Sequence, residues 1–258
     1  MKHSSSNTLA VHVASSRPAL GARAAADIAS EIRALLASQD SVRILFAAAP
    51  SQSEMLFSLS QAPDIDWSRI EAFHMDEYLG LDAGASQRFG AWLRRTIFDR
   101  LPFGAVHLIE PENDPDRTAT EYAAKLNAAS IDIVCCGVGM NGHLAFNDPP
   151  ADFDDPLTVK IVTLDERSRQ QQVDDKCFAT LDDVPTHAVT VTIPALLAAH
   201  TIFCIVPGQQ KNQAVREMLE GPVTSMCPAT ALRLHPRCTL FLDTDSAGEV
   251  SLRSYRRV

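Results

Sequence analysis

The chain has 258 residues, 46% of them hydrophobic, and its formal net charge is −9 at pH 7. This length and apolar content exclude a disordered or fibrous protein and suffice for one large α/β domain with a buried core. The negative charge argues against nucleic acid as a partner, although a few lysines and backbone amides can still hold an anionic small molecule.

Strand-like apolar runs alternate with helical patterns along the whole chain. The predicted strands cover residues 9–14, 42–48, 70–73, 106–109, 131–136, 160–164, 189–193, 201–206 and 239–242. The predicted helices cover residues 18–39, 51–61, 86–99, 115–129, 165–173, 208–221 and 229–234, and the tail to residue 258 is expected to be helical or frayed. Residues 149–158, rich in proline and aspartate, are expected to form a loop, and the sequence leaves open whether residues 149–180 close as a lid.

This alternation predicts an α/β fold with a doubly wound, mostly parallel sheet and helices on both faces. No internal repeat or clean boundary interrupts the pattern, so residues 1–258 are expected to form a single domain. Sheets of this kind bind ligands at the carboxyl ends of their strands. Polar residues that follow the predicted strands are therefore the candidates for a site.

Six cysteines are spread along the chain without a C-x-x-C pair, so neither a zinc site nor a disulfide framework is expected. The first six residues are not followed by the apolar segment of a signal peptide. No apolar run approaches the roughly 18 residues that a membrane span requires. These features predict a cytoplasmic protein that does not bind a membrane.

The most distinctive segment follows the predicted strand at residues 131–136. It contains three glycines between residues 137 and 142, then His143 and, five residues later, Asp148. Glycine permits positive φ and a close approach of the backbone to a ligand. The pattern fits a site at the end of a buried strand, and it fits equally a glycine-rich turn with a surface histidine.

Carboxylates and a histidine at strand ends could carry acid–base chemistry. Asp76 and Glu77 are adjacent, so in an extended segment only one of them faces a site. The carboxylate there could be a general base at carbon or a simple cap, and His143 could be an acid–base group that Asp148 orients. Together with Asn141 these residues do not make an ordinary closed metal site, so no metal is expected.

Two helix starts could hold a phosphate. Gly208 and Lys211 lie where a helix follows a buried strand, so free amides and one positive charge meet there. The alternative for Lys211 is a solvated residue in the first helical turn. The turn around Ser51 and Gln52 offers amides and a hydroxyl at a second helix start, without the glycines usual in a phosphate cradle.

Two longer motifs carry a family resemblance. The segment FHMDEYLGL at residues 73–81 and the segment GVGMNGHLAFNDP at residues 137–149 together resemble the glucosamine-6-phosphate deaminase (isomerase) family. Residues 208–211 and 232–236 are similar to further segments of that family in the same order. The resemblance extends from about residue 18 to residue 243, nearly the whole chain.

The resemblance implies a Rossmann-like sheet and an enzyme that converts an amino-sugar 6-phosphate to a ketose 6-phosphate and ammonia. It implies that Asp76 moves a proton between C2 and C1, that His143 opens the pyranose ring, and that Asn141 and Asp148 orient His143. It implies a small-molecule sugar phosphate as partner, with no redox cofactor and no metal. The residues expected to contact the substrate or its phosphate are Ser51, Gln52, Glu77, Gly139, Gly142 and Lys211.

The chain departs from the family pattern at four places. It has Asn141 where the fuller pattern has Asp, Asp148 where it has Glu, and the sequence APSQS at residues 49–53 in place of a glycine-rich turn. The run at residues 170–172 is all glutamine where some members have an arginine, for which Arg167 or Arg169 could substitute.

These departures keep two alternatives open. One is the same fold with another reaction, a 6-phosphogluconolactonase-like hydrolase or another sugar-phosphate isomerase. The other is a sugar-phosphate-binding regulator without catalysis. The sequence also leaves open whether the chain forms a homo-oligomer.

Overall fold

The computed structural model describes residues 9–111, 114–253 and 255–257. The N-terminal residues on which the signal-peptide prediction rests lie outside these ranges. The strands are β1 Ala10–Ala14, β2 Val42–Phe46, β3 Ile70–His74, β4 Asp76–Tyr78, β5 Ala105–His107, β6 Ile133–Cys136, β7 Val159–Thr163, β8 His187–Val191, β9 Thr201–Val206, β10 Cys238–Asp243 and β11 Arg256–Arg257. The α-helices are α1 Arg17–Leu36, α2 Ser53–Ser60, α3 Phe89–Leu93, α4 Pro115–Asn127, α5 Glu166–Asp174, α6 Ile193–Leu197, α7 Asn212–Glu220 and α8 Thr244–Ala247.

The main sheet is parallel throughout and has the strand order β11-β1-β10-β9-β6-β2-β3-β5. From β2 the chain moves outward through β3 to β5, and from β6 it moves outward in the opposite direction through β9 to β10. The neighbours β2 and β6 therefore flank the topological switch point, where such a sheet opens a crevice at its carboxyl edge. The predicted doubly wound sheet is confirmed.

The side chains of each central strand alternate between two apolar cores. In β2, Ile44 and Phe46 face the core formed with α1, α2 and α3, whereas Leu45 faces the core formed with α4, α6 and α7. All five residues of β2 are buried, as expected for a strand that is covered on both faces. This double burial fixes the positions of the loops that leave the strands.

Capping residues define where the long helices begin. The Ser16 side chain accepts a hydrogen bond from the Ala19 amide at the start of α1, and Asp114 accepts one from the Arg117 amide at the start of α4. Each helix also has a proline in its first turn, where the missing amide donor costs nothing.

A second, smaller sheet stands at the carboxyl end of β3. It is antiparallel, with the order β4-β8-β7. The sequence pattern predicts β7 and β8 as strands but does not separate them from the main sheet. Strand β7, which carries Lys160, is half-exposed, so it lacks the cover on both faces that a strand in the middle of a parallel sheet has. Met75 alone separates β3 from β4, and this short link brings Asp76 to the edge of the main sheet.

The C-terminal tail matches its prediction only in part. It begins with the short helix α8, but Arg256 and Arg257 form a short edge strand whose backbone pairs with Ala10 and Val11 of β1. The predicted helix at residues 86–99 is α3, continued by a π-helical turn at Arg94–Phe98. In the described ranges, no helix is both long and apolar enough to cross a membrane.

Candidate active site

A cleft opens at the carboxyl edge of the main sheet, beside the switch point between β2 and β6. Its volume is about 480 Å³, part of it open to solvent. Small-molecule sites commonly measure about 300–1,000 Å³. Five of the predicted site residues line the cleft, namely Ser51, Asp76, Gly139, His143 and Lys211, together with Met75, Phe89, Phe146, Gln171, Gln172 and small residues of the strand ends.

Asp76 is the first residue of β4 and is held in register opposite Thr190 of β8. Only 7% of Asp76 is exposed. Burial, and secondarily the negative charge of Glu77, raises the pKa of the Asp76 carboxyl well above its ordinary value. A raised pKa makes the ionised carboxylate a stronger base, which suits the removal of a weakly acidic proton.

Glu77 points away from the cleft. Its carboxylate accepts hydrogen bonds from the backbone amides of Phe89 (3.0 Å) and Gly90 (2.9 Å), and it lies 3.8 Å from the Arg88 guanidinium. Glu77 therefore caps the start of α3, because adjacent residues of an extended strand face opposite sides. This geometry gives Glu77 a structural role, and its expected contact with the substrate stays a prediction.

His143 is held against the glycine turn that follows β6. The Gly139 amide donates to the His143 carbonyl at 3.0 Å, and the Gly142 amide donates to the Gly139 carbonyl at 3.0 Å. A Cβ atom on Gly139 would lie 2.3 Å from both Cε1 and Nε2 of His143. The imidazole therefore stacks directly on a residue that has to be glycine.

Gly142 has a structural role outside the cleft. Its φ is +82°, a conformation that favours glycine, and a Cβ atom there would lie 2.8 Å from Cys227 Sγ. Its carbonyl accepts the Ala229 amide at 2.8 Å. Gly142 thus closes the turn and anchors it to the chain around residue 227, and it is not among the residues that line the cleft.

A hydrogen-bonded network fixes His143 from behind. Its Nδ1 lies 3.1 Å from Asp148 Oδ1 and 2.7 Å from Ser168 Oγ. Asn141 Nδ2 donates to Asp148 Oδ1 at 3.0 Å, and Asn141 Oδ1 accepts the His143 amide at 3.1 Å. The shorter Asp148 thus reaches the histidine, and Asn141 supports both residues.

The same network determines the charge of Asp148. Burial alone raises the pKa of this carboxyl, but hydrogen bonding and attraction to His143, together with the donors Ser168 and Asn141, outweigh burial and lower the pKa to about 2. Asp148 is therefore an anion at neutral pH. An anion at this position favours a proton on the Nδ1 atom of His143 and leaves Nε2 for chemistry.

Ser51 and Gln52 form the turn between β2 and α2. Gln52 is fully buried, and its Nε2 atom donates to Ser51 Oγ at 3.1 Å and to the Ile205 carbonyl at 3.1 Å. Gln52 lies behind the cleft lining, whereas Ser51 is part of it. Because Ser51 Oγ already accepts a hydrogen bond from Gln52, its own proton is available to an anionic ligand.

Lys211 enters the cleft from the turn after β9. Gly208 has φ of +93°, and its amide donates to both carboxylate oxygens of Asp243, at 3.0 and 3.1 Å. This turn places Lys211 in a largely buried position, where burial lowers the pKa of its ammonium to about 8 although Asp175 partly offsets the effect. Lys211 is thus a nearby cation for the cleft at neutral pH.

Helix α5 contributes side chains whose contacts the sequence pattern does not predict. Gln171 and Gln172 line the cleft, and Gln171 Oε1 accepts the Met140 amide at 2.8 Å. Ser168, on the same helix, contacts the histidine network. The very polar composition of α5 suggests a solvated helix, and only its packing across the turn after β6 shows that three polar side chains are buried.

The two arginines of α5 do not replace the missing arginine. Arg169 donates to the carbonyls of Leu181 at 2.6 Å and Val184 at 2.9 Å, so it fastens the following loop. Arg167 is exposed and does not line the cleft. Neutral glutamines, Gln171 and Gln172, therefore line the cleft in place of a charged arginine.

Known proteins are similar to this chain in both sequence and fold. The family model for glucosamine-6-phosphate isomerases/6-phosphogluconolactonase matches residues 15–241. The glucosamine-6-phosphate deaminase of Pseudarthrobacter chlorophenolicus is 35% identical over 206 residues, which are 76% of this chain and 76% of that protein. A solved monomeric glucosamine-6-phosphate deaminase is 25% identical, with a TM-score of 0.85 over 92% of this chain and 98% of that chain.

The solved 6-phosphogluconolactonase of Thermotoga maritima is 17% identical, with a TM-score of 0.76 over 91% of this chain and 99% of that chain, a likeness of fold alone. The similarity in sequence, by contrast, is to the glucosamine-6-phosphate deaminases. The chain therefore belongs to the glucosamine-6-phosphate isomerase/6-phosphogluconolactonase family and, within it, to the glucosamine-6-phosphate deaminases.

Proposed function

We propose that this chain is an enzyme that converts glucosamine 6-phosphate and water to fructose 6-phosphate and ammonia. The observation that carries the proposal is that Asp76, a buried carboxyl with a raised pKa, and His143, a histidine oriented by an anion, line one cleft with Lys211. Isomerisation of an amino sugar needs a base at carbon and a proton carrier at oxygen, and the phosphate needs a cation.

The first step assigned to the site is opening of the pyranose ring. His143 Nε2 takes the proton of the C1 hydroxyl and delivers a proton to the ring oxygen, so that the C1–O bond to the ring breaks and an aldehyde forms. Asp148 stays ionised and compensates the positive charge that His143 carries between these transfers. The imidazole itself is regenerated, as an acid–base catalyst has to be.

The second step is movement of a proton from C2 to C1. Asp76 removes the C2 proton, the electrons form a C1–C2 double bond, and the aldehyde oxygen takes a proton from the ammonium group of the substrate. Asp76 then returns its proton to C1, which leaves a protonated C2 imine. Water adds to this iminium ion and ammonia leaves as ammonium, so the C2 ketone of fructose 6-phosphate forms with atoms and charge balanced.

The substrate phosphate is assigned to Lys211 and Ser51, with amides of the adjoining turns. Gln52 and Asp243 act behind them, because they hold the Ser51 hydroxyl and the Gly208 turn. Gln172 offers a neutral amide to the same ligand. A single lysine charge with neutral donors is a weaker anion site than one with an arginine fork.

Because its proposed substrate is a sugar phosphate, we propose that the chain works as a single domain in the cytoplasm, without nucleic acid or a membrane as a partner. Five of its six cysteines are buried as free thiols, four of them in strands of the main sheet, where they act as small apolar residues. Sedimentation of the purified protein would decide between a monomer and a homo-oligomer.

A substrate panel tests the proposed function. The purified protein is incubated with glucosamine 6-phosphate, with other hexosamine 6-phosphates and with 6-phosphogluconolactone, and ammonia, ketose and acid release are measured separately. We expect ammonia and ketose from glucosamine 6-phosphate and no acid release from the lactone. Lactone hydrolysis alone would establish the hydrolase alternative, and tight binding without any product would establish the regulator.

Replacement of Gly139 with alanine is expected to lower kcat by about 10²-fold, because displacement of a catalytic group by about 1 Å has an effect of this size. The new Cβ atom would overlap the His143 ring, which has to move. Gly84→Ala is the matched control, because its Cβ atom would meet nothing within 4 Å. Equal rates for the two variants would contradict the stacking of His143 on Gly139.

Replacement of Lys211 with methionine is expected to raise KM for the sugar phosphate by at least about 10-fold, since a hydrogen bond to a charged group contributes about 1.5–3 kcal/mol. The pKa of Lys211 is lowered to about 8, so kcat/KM of the wild type should fall as the pH rises through that value. This basic limb should be absent in Lys211→Met. Lys125→Met, an exposed position on α4, is the control. If the fall in kcat/KM at high pH persists in Lys211→Met, Lys211 does not bind the phosphate.

A further inference from the structure

Ser168 is a buried hydroxyl at the centre of the histidine network, and the mechanism above assigns it no role. Only 1% of Ser168 is exposed. Its Oγ atom lies 2.7 Å from His143 Nδ1 and donates a hydrogen bond to Asp148 Oδ1. The hydroxyl therefore bridges the same two atoms that also meet directly at 3.1 Å.

The direction of these hydrogen bonds follows from the chemistry of the three groups. An ionised carboxylate can only accept, so the single proton of Ser168 is directed to Asp148. The serine oxygen then has lone pairs left for His143, and the contact at Nδ1 requires that this nitrogen carries a proton. Both Asp148 and Ser168 thus select the tautomer in which Nε2 has the free lone pair.

The backbone of α5 makes this arrangement rigid. Asp165 caps the start of the helix: its side chain accepts the Arg167 amide at 2.8 Å, and its own amide donates to Asp148 Oδ2 at 2.9 Å. One turn after Ser168, the Gln171 side chain accepts the Met140 amide at 2.8 Å. Contacts on either side of Ser168 therefore fix its position relative to the turn that carries His143.

We propose that Ser168 is a positioning residue for the acid–base histidine, which it holds in the Nδ1-protonated tautomer with its ring directed into the cleft. The inference deepens the proposed function and rests on it for its catalytic consequence. In this chain the bridge supplements Asp148, whose side chain is one methylene shorter than the glutamate of the family pattern. Each carboxylate oxygen then has a donor from α5 or its N-cap, Ser168 Oγ at Oδ1 and the Asp165 amide at Oδ2.

The kinetic test compares Ser168→Ala with the wild type. We expect kcat to fall by about 10- to 100-fold, the range for loss of one hydrogen bond to a charged group, while KM changes by less than about threefold. Thr192→Val is the matched control, because it removes another buried hydroxyl, one that donates to the Leu157 carbonyl at 2.6 Å away from the cleft. Unchanged kcat in Ser168→Ala, or an equal fall in Thr192→Val, would overturn the proposal.

A spectroscopic test separates this inference from the proposed function. The 15N NMR spectrum of protein labelled at histidine reports which ring nitrogen of each histidine carries the proton. The His143 signals are assigned as those that are missing from the spectrum of His143→Gln. We expect a protonated Nδ1 in the wild type and, in Ser168→Ala, a shift of population towards protonated Nε2 with faster exchange of the Nδ1 proton. Identical His143 signals in both proteins would overturn the positioning role.

The two tests fail independently. Absence of ammonia release by the wild type would refute the proposed function, whereas the NMR comparison would still decide whether Ser168 holds the histidine. Melting temperatures of all variants, measured by circular dichroism, establish that each protein is folded under the conditions used.

Discussion

Replacement of Asp76 with asparagine is expected to lower kcat by at least about 10³-fold, because a general base contributes roughly 10²–10⁴-fold and no other carboxylate lines the described part of the cleft. Asparagine has nearly the same shape, so the cleft is retained. Binding of the product fructose 6-phosphate, measured by calorimetry, should stay within a few-fold of the wild type. Asp174→Asn, an exposed change on α5, is the control.

The same variant carries a stability prediction of defined sign. In the folded protein the pKa of Asp76 is raised above its unfolded value of about 3.9, so folding favours the protonated carboxyl. This contribution is fully present below the unfolded pKa and is lost as the pH rises through the folded pKa. Asp76→Asn should therefore gain stability relative to the wild type as the pH rises above about 4.

Two results would contradict this account of Asp76. Retained turnover in Asp76→Asn would remove Asp76 as the base at carbon. A difference in unfolding free energy that does not change with pH would show that the carboxyl is not held in its protonated form by folding. We expect Asp76→Asn to be both inactive and more stable than the wild type, since active sites commonly retain groups that reduce stability.

Replacement of His143 with glutamine is expected to lower kcat by about 10²- to 10⁴-fold, the range for loss of a positioned acid–base group. Glutamine can still donate a hydrogen bond to Asp148, but it cannot carry a proton from the C1 hydroxyl to the ring oxygen. His187→Gln is the matched control, because His187 is exposed on β8. Rates measured by ammonia release at saturating substrate separate this effect from binding.

The position of His143 in the reaction is tested by the form of the substrate. If His143 opens the ring, the loss in His143→Gln should be largest for the pyranose and smaller for a hexosamine phosphate analogue that cannot cyclise. An equal loss for both compounds would assign His143 to a later step.

The pH dependence of kcat/KM should combine two limbs with separate origins. The raised pKa of Asp76 predicts a rise in rate as this carboxyl ionises, and the pKa of Lys211, about 8, predicts a fall as the ammonium loses its charge. The two groups lie on different elements of one cleft, Asp76 at the start of β4 and Lys211 in the turn after β9. Variants at each position should therefore remove one limb and leave the other.

Much of the fold is predictable from the sequence because the pattern is local. A strand such as β2 is apolar at four of its five positions, and a helix such as α1 has a capping serine and a proline at its start. The second sheet is not predictable in this way, because its membership depends on which distant strand pairs with β4. The edge strand at Arg256–Arg257 has no strand-like pattern and depends on the exposed edge of β1.

The candidate site was predictable where residues sit at the ends of strands. Asp76, His143, Lys211, Ser51 and Gly139 all follow a strand of the main sheet, and all five line the cleft. Glu77 and Gly142 lie in the same motifs but serve the fold. Proximity in sequence does not determine the side on which a residue points.

The contributions of α5 could not be predicted from the sequence. Ser168, Gln171 and Gln172 lie in a helix whose composition is typical of a solvated surface. Their burial results from contact with the turn after β6, more than twenty residues earlier in the chain. Spacing within the helix offers one signal, since residues 168, 171 and 172 share one helical face.

The measurement that tests the account most directly is the simultaneous determination of ammonia and fructose 6-phosphate produced from glucosamine 6-phosphate. For the wild type we expect equal molar amounts of the two products, and for folded Asp76→Asn at the same concentration we expect neither. Absence of both products from folded wild-type protein at every pH, or equal production by Asp76→Asn, would contradict the account.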